Sequence, residues 1–192
     1  MIELIFLDID GCLTDGKIIY SANGVEMKEF NVKDGAAIEA WLKLGKKAAI
    51  ITGRQSECVN LRARDLKIDL VYQGIKDKLA CAQTILKKLN LSLAQCAAIG
   101  DYYNDTALLN AVKFAFTPKD AFIDVGKRLK FNGGKGEETT MKRGSAFVPY
   151  PSDVELTLKY LAEYDAAHSP VPVQSGQKVK RDFLPIILGS DE

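Results

Sequence analysis

Histidine and tryptophan each occur once in the 192 residues, and the four cysteines show no CxxC spacing. Cys12, Cys58, Cys81 and Cys96 each lie in or beside an apolar segment, which reads as reduced core thiols and excludes a disulfide scaffold. The lone histidine, His168, falls in a stretch with Pro170 and Pro172, where it reads as a bystander. Charge of one sign is missing too. A net charge of +1 and a pI near 7.6 give no bulk attraction to nucleic acid or anionic membrane. No apolar run approaches the roughly 18 residues of a bilayer span, and the first residues carry no basic region followed by an apolar core. The expectation is therefore a cytoplasmic protein without a membrane segment or leader.

What is present is ordinary in bulk, 47% apolar and 27% charged, and long enough for one domain with a real core. The informative stretch is the first sixteen residues. Residues 2–7 read as a buried strand, and Asp8, Asp10 and Asp15 follow at once among glycines. In an open α/β sheet, ligands gather at the carboxyl ends of strands. Asp8 and Asp10, two apart, share a face if the strand continues. Two such carboxylates repel unless they share a proton or a cation, and a hard cation such as Mg²⁺ is the natural partner. An acidic turn that merely ends the strand is the plain alternative.

Further strand ends carry further polar groups. Residues 17–20 and 25–30 flank Ser21-Ala-Asn23-Gly24, a hairpin signal directly after the acidic strand. Such a hairpin has no sheet of its own, so it folds over the site or pairs with another copy. Asp34 is placed to cap a helix from Gly35 to about Leu44. Residues 48–51 form the next strand, and Thr52-Gly53-Arg54 then offers a hydroxyl, a free N–H and a cation to a phosphate, with a helix from about Ser56 adding its positive end. Thr52 as a simple helix cap is the competing reading. Residues 69–72 make a third strand before a helix running to Asn90. Residues 96–99 make a fourth, ending in Gly100-Asp101-Tyr102-Tyr103-Asn104-Asp105, which brings Asp101 to the same sheet edge as Asp8. Asp105, one turn on, is placed to orient a nearby cation or water. Residues 112–116 and 129–131 are β-prone, with a short helix near 119–125 between them. The Gly-rich run 132–136 is a linker or a phosphate nest carrying Lys135.

The string DIDGCLTDG resembles the first motif of the haloacid dehalogenase superfamily. GVEMKEFNVKDGAAI, TGRQSECVNLRARDL and NGGKGE narrow the resemblance to the 3-deoxy-D-manno-octulosonate 8-phosphate phosphatase family, over about residues 1–138. The resemblance implies a three-layer α/β/α Rossmann-like fold with a mainly parallel sheet and no large cap domain. It implies a phosphatase of lipopolysaccharide precursor synthesis, with Asp8 as nucleophile and Asp10 as general acid and base. Asp8, Asp10 through its carbonyl, and Asp101 would hold Mg²⁺. Lys78 at the head of the third helix, with Thr52, Gly53, Arg54 and Lys135, would bind the phosphorylated sugar acid, and Asp105 would support. Lys76 reads instead as a solvated residue. The family's homotetramer, with the hairpin and C-terminal segment of a neighbour enclosing the substrate, is the expected assembly.

The chain departs from that family at two places, Lys33 where an arginine is usual and Thr139-Thr140 where an Arg-Glu pair is common. An ammonium cannot reproduce a guanidinium fork on a carboxylate; Lys142 or Arg143 could compensate. Residues 152–164 pattern as a helix capped at Ser152-Asp153. The division expected is a hydrolase domain over 1–165, with the hairpin at about 17–30, and a linker-like extension over 166–192 with an apolar patch at 183–188. Two other readings stay open: the same chemistry on a nine-carbon 2-keto-3-deoxy sugar 9-phosphate, and a non-catalytic interaction protein that keeps the fold.

Overall fold

The computed structural model describes residues 1–118, 120–122, 145–148 and 153–167. A six-stranded sheet forms its centre, in the order β5-β4-β1-β6-β7-β8, every neighbouring pair parallel. The strands are β1 (Leu4–Leu7), β4 (Lys47–Ile51), β5 (Leu70–Tyr72), β6 (Cys96–Ile99), β7 (Phe114–Pro118) and β8 (Ser145–Val148). β2 (Ile19–Tyr20) and β3 (Glu26–Met27) form a separate antiparallel hairpin. The helices are α1 (Val32–Lys43), α2 (Glu57–Asp65), α3 (Lys78–Leu89), α4 (Thr106–Ala111) and α5 (Asp153–Ala167).

Alternation along the strands sorts the core into two halves. Ile5 and Leu7 point to the side of α1, α2 and α5, where they join Ile38, Trp41, Val59, Leu158 and Leu161. Leu4 and Phe6 point the other way, onto Ala82, Ile85 and Leu86 of α3 and Leu108 and Leu109 of α4. This is the expected three-layer α/β/α arrangement, and among the described residues the hairpin is the insertion that separates β1 from α1. Late chain also braces early chain. The Asp165 carboxylate on α5 accepts the Ile2 N–H at 3.1 Å and pairs with Lys46.

Some boundaries differ from expectation. α1 begins at Val32, because the Asn31 side chain accepts the Lys33 N–H at 2.9 Å and caps the helix; Asp34 lies buried in the first turn. β7 begins at Phe114, since the Val112 N–H still closes α4 on Leu108. The hairpin turn lies within Ser21–Gly24 as expected and is three residues long. Gly24 N–H bonds Ser21 C=O, Ser21 N–H bonds Val25 C=O, and Gly24 takes φ +81°, a turn completed by a left-handed residue. β8 holds the sheet position next to β7 without any strand expected there. The strand expected at 129–131, the short helix near 119–125, the loop with Lys135, the Thr139-Thr140 departure and the tail beyond Ala167 lie outside the described residues, apart from Asp120, Ala121 and Phe122.

Candidate active site

Three neighbouring strands, β4, β1 and β6, end side by side, and the residues just past their tips converge. Asp8 follows β1 and its N–H pairs with Ile99 C=O, tying it to the end of β6. The loop after it turns tightly round Thr14, whose hydroxyl donates to Ile9 C=O and accepts the N–H groups of Gly11 and Gly16. Gly11 is needed twice over: it takes φ +94°, and a Cβ there would overlap the Asp101 carboxylate.

Lys78 is buried at the first turn of α3, where the Asp77 side chain caps the helix by accepting the Ala80 N–H at 3.0 Å. Its ammonium lies 2.8 Å from Asp8 Oδ1 and 2.5 Å from Asp105 Oδ1. Asp105 accepts the Tyr102 N–H through its other oxygen, at 3.1 Å, and packs against Gly100, where a Cβ would strike it. Lys76, by contrast, is exposed, as expected.

Charge crowding shows in the acidities. Burial first, then Asp105, push the Asp8 carboxyl up to about 6 despite the opposing Lys78. Burial and the Asp8 and Asp105 charges push Asp101 up to about 8. Burial alone would lower the Lys78 ammonium, but Asp8 and Asp105 outweigh it and raise it.

Asp8, Cys12 and Asp101 each place a potential ligand atom within 4.8 Å of the others. Asp101 Oδ1 is buried and has no protein hydrogen-bond partner. Two crowded carboxylates, one with an orphan oxygen, fit a hard divalent cation. Cys12 contributes a soft thiol that burial and the nearby carboxylates keep protonated, so the oxygens are the fitting donors for such an ion.

Thr52 is buried directly after β4, its N–H on Tyr72 C=O and its C=O on Ile75 N–H, while Gly53 is exposed beside Asn104 and Ile75. Arg54 turns toward the hairpin. Its guanidinium bonds the Tyr20 hydroxyl at 3.2 Å and Glu26 at 3.1 Å, and lies 3.8 Å from Asp10 Oδ2. Asp10 in turn pairs with Lys28, which follows β3. Sequence reasoning passed over Glu26, Lys28 and Thr14, while Cys12 is the buried free thiol expected. Glu26 and Lys28 are two apart, the one hint that they share a face.

The haloacid dehalogenase-like hydrolase profile matches residues 67–131. A 3-deoxy-D-manno-octulosonate 8-phosphate phosphatase of Escherichia coli K12 is 38% identical over 120 residues, 62% of this chain; the match spans 64% of that relative, less than two thirds of its length. The phosphatase of the same name from Haemophilus influenzae is 34% identical over 139 residues, covering 70% of this chain and 77% of the relative. Among solved structures, the Moraxella catarrhalis phosphatase of that name, in complex with magnesium, phosphate and KDO, superposes with a TM-score of 0.72 at 31% identity, over 86% of this chain and 91% of that one. The cobalt-bound Haemophilus influenzae enzyme gives 0.73 at 25% identity, over 86% and 90%.

Proposed function

The chain belongs to the 3-deoxy-D-manno-octulosonate 8-phosphate phosphatase family, and on that premise we propose that it is a Mg²⁺-dependent phosphatase releasing inorganic phosphate from a sugar-acid phosphate. The substrate proposed is 3-deoxy-D-manno-octulosonate 8-phosphate, and the role is lipopolysaccharide precursor synthesis in the cytoplasm. The observation that carries the reading is the buried Asp8–Lys78–Asp105 chain beside the orphan oxygen of Asp101.

Asp8, Asp101 and the backbone carbonyl of Asp10 would hold Mg²⁺, which when bound supplies positive charge against the phosphoryl oxygens and the crowded carboxylates. Lys78 and the Thr52 hydroxyl hold phosphoryl oxygens, and Gly53 offers its N–H. Asp8 attacks phosphorus in line; the P–O ester bond breaks and an aspartyl phosphate forms. Asp10 gives its proton to the departing sugar oxygen, then takes one from the water that cleaves the acyl phosphate. A carboxylate nucleophile suits hydrolysis because its acyl phosphate is reactive enough for water to clear. Asp105 holds Lys78 in place throughout. Arg54 and Lys135 are assigned to binding the phosphorylated sugar acid.

The hairpin bears exposed Ile18, Tyr20, Val25 and Met27, an apolar surface on two-residue strands that suits packing against another copy. A homotetramer joined there is the assembly we propose, with 1–165 as the hydrolase domain and 166–192 as its extension. Phosphate release from a panel of eight- and nine-carbon sugar phosphates, with Mg²⁺ and with chelator, tests the proposal. Turnover of the eight-carbon ester that stops with chelator supports it. Preference for the nine-carbon ester would reassign the substrate, and no Mg²⁺-dependent turnover of any ester would end it.

A further inference from the structure

The hairpin carries a charged side chain to the proposed general acid. The Lys28 side chain is almost wholly buried, 1% exposed, and its ammonium pairs with Asp10 Oδ1. Glu26, on the same face of the hairpin, stands 3.6 Å from Lys28 and 3.1 Å from Arg54. Arg54, from the loop after β4, faces the other Asp10 oxygen at 3.8 Å. Both oxygens of the Asp10 carboxylate therefore meet a cation, each delivered by a different element, and Glu26 links the two cations. A buried ammonium is kept only where its partners compensate for lost water. Here the partner is the carboxyl group whose other oxygen must present its proton to the departing oxygen.

We infer that Lys28 is a positioning residue for Asp10: by gripping one carboxylate oxygen from the hairpin, it fixes the direction from which Asp10 meets the leaving group. The inference rests on the phosphatase reading above. It makes the hairpin a working part of the site in its own chain, whatever it does for a neighbour. A group that must sit within hydrogen-bond reach of the reacting oxygen loses much of its effect when released to wander.

The consequence depends on the leaving group. An alkyl or sugar oxygen needs a proton as the P–O bond breaks, whereas p-nitrophenolate departs as a stable anion. A defect in the placement of Asp10 falls mainly on the first. The experiment compares full-length wild type, Lys28→Met, Lys28→Arg and Glu26→Gln, with Mg²⁺, on a sugar phosphate and on p-nitrophenyl phosphate, with circular dichroism and melting curves for each. Lys28→Met should lower kcat on the sugar phosphate about tenfold or more beyond its loss on the aryl ester, with KM changed less than kcat. Lys28→Arg should recover part of that selective loss, and Glu26→Gln should show a smaller loss of the same kind. Should Lys28→Met fail to fold, the ratio of the two rates in Lys28→Arg and Glu26→Gln decides. Equal losses on both esters, or a change in KM alone, overturn the inference while the phosphatase reading stands. A wild type that cleaves neither ester overturns both.

Discussion

Lys78 Nζ stands 2.8 Å from Asp8 Oδ1, joining the head of α3 to the tip of β1. One buried ammonium thereby serves two carboxylates, since Asp105 takes it from the other side. Removing it leaves two buried acids without their counter-charge. Lys78→Met should destabilise the protein by about 3–5 kcal/mol in metal-free buffer, read from denaturant unfolding, and should remove turnover.

Asp8→Asn should abolish phosphate release with the fold retained, since the amide keeps the shape but is a poor nucleophile. Retained turnover would remove Asp8 from that role. Asp10→Asn should lower kcat by about two orders of magnitude or more on a sugar phosphate. Single-turnover phosphate release measures both.

The acidity of Asp101 makes metal-free stability depend on pH. Its carboxyl sits at about 8 when folded, against 3.8 ordinarily, so between those values the folded chain holds a proton that the unfolded chain releases. Stability therefore falls as pH rises through that window, and the loss is complete above the folded value. The metal-free protein should melt at a higher temperature near about pH 5.5 than near about pH 8. Asp101→Asn should flatten that slope, and so should saturating Mg²⁺. A slope unchanged in Asp101→Asn would place its origin elsewhere.

Gly11→Ala tests the loop directly. The methyl group would meet the Asp101 carboxylate at a backbone angle that favours glycine, so a cost of about 1–3 kcal/mol is expected. Mg²⁺ affinity, measured by calorimetry, should fall with it.

Assembly through the hairpin predicts that charge on its apolar face separates the copies. Met27→Asp should shift the particle seen by light scattering toward the monomer mass. No shift, with an intact fold, would move the interface away from the hairpin.

Much of this was legible in the chain because the chemistry sits at strand tips, where a short apolar run gives way to acids or hydroxyls. Asp8, Asp101, Asp105 and Lys78 meet as their places after β1 and β6 and at the head of α3 imply. Local competition was harder to read. Asn31 displaced Asp34 as the cap of α1 because its side chain reaches Lys33 N–H first. Tertiary pairing was harder still: Lys28 lies 18 residues from Asp10, in a hairpin whose alternation says which residues share a face but not what that face meets. β8 escaped because no acid or glycine directly follows Ser145–Val148 to mark a strand end, as one does after β1 and β6.

The grip of Asp165 on Ile2 N–H sets an order in time as well as in space. During synthesis α5 emerges more than 140 residues after β1, so the strand that leads into Asp8 waits unlatched until that helix has been made. Nascent chains halted before that helix should leave the residues around Ile2 open to proteases, and the latch closes only once the helix has emerged.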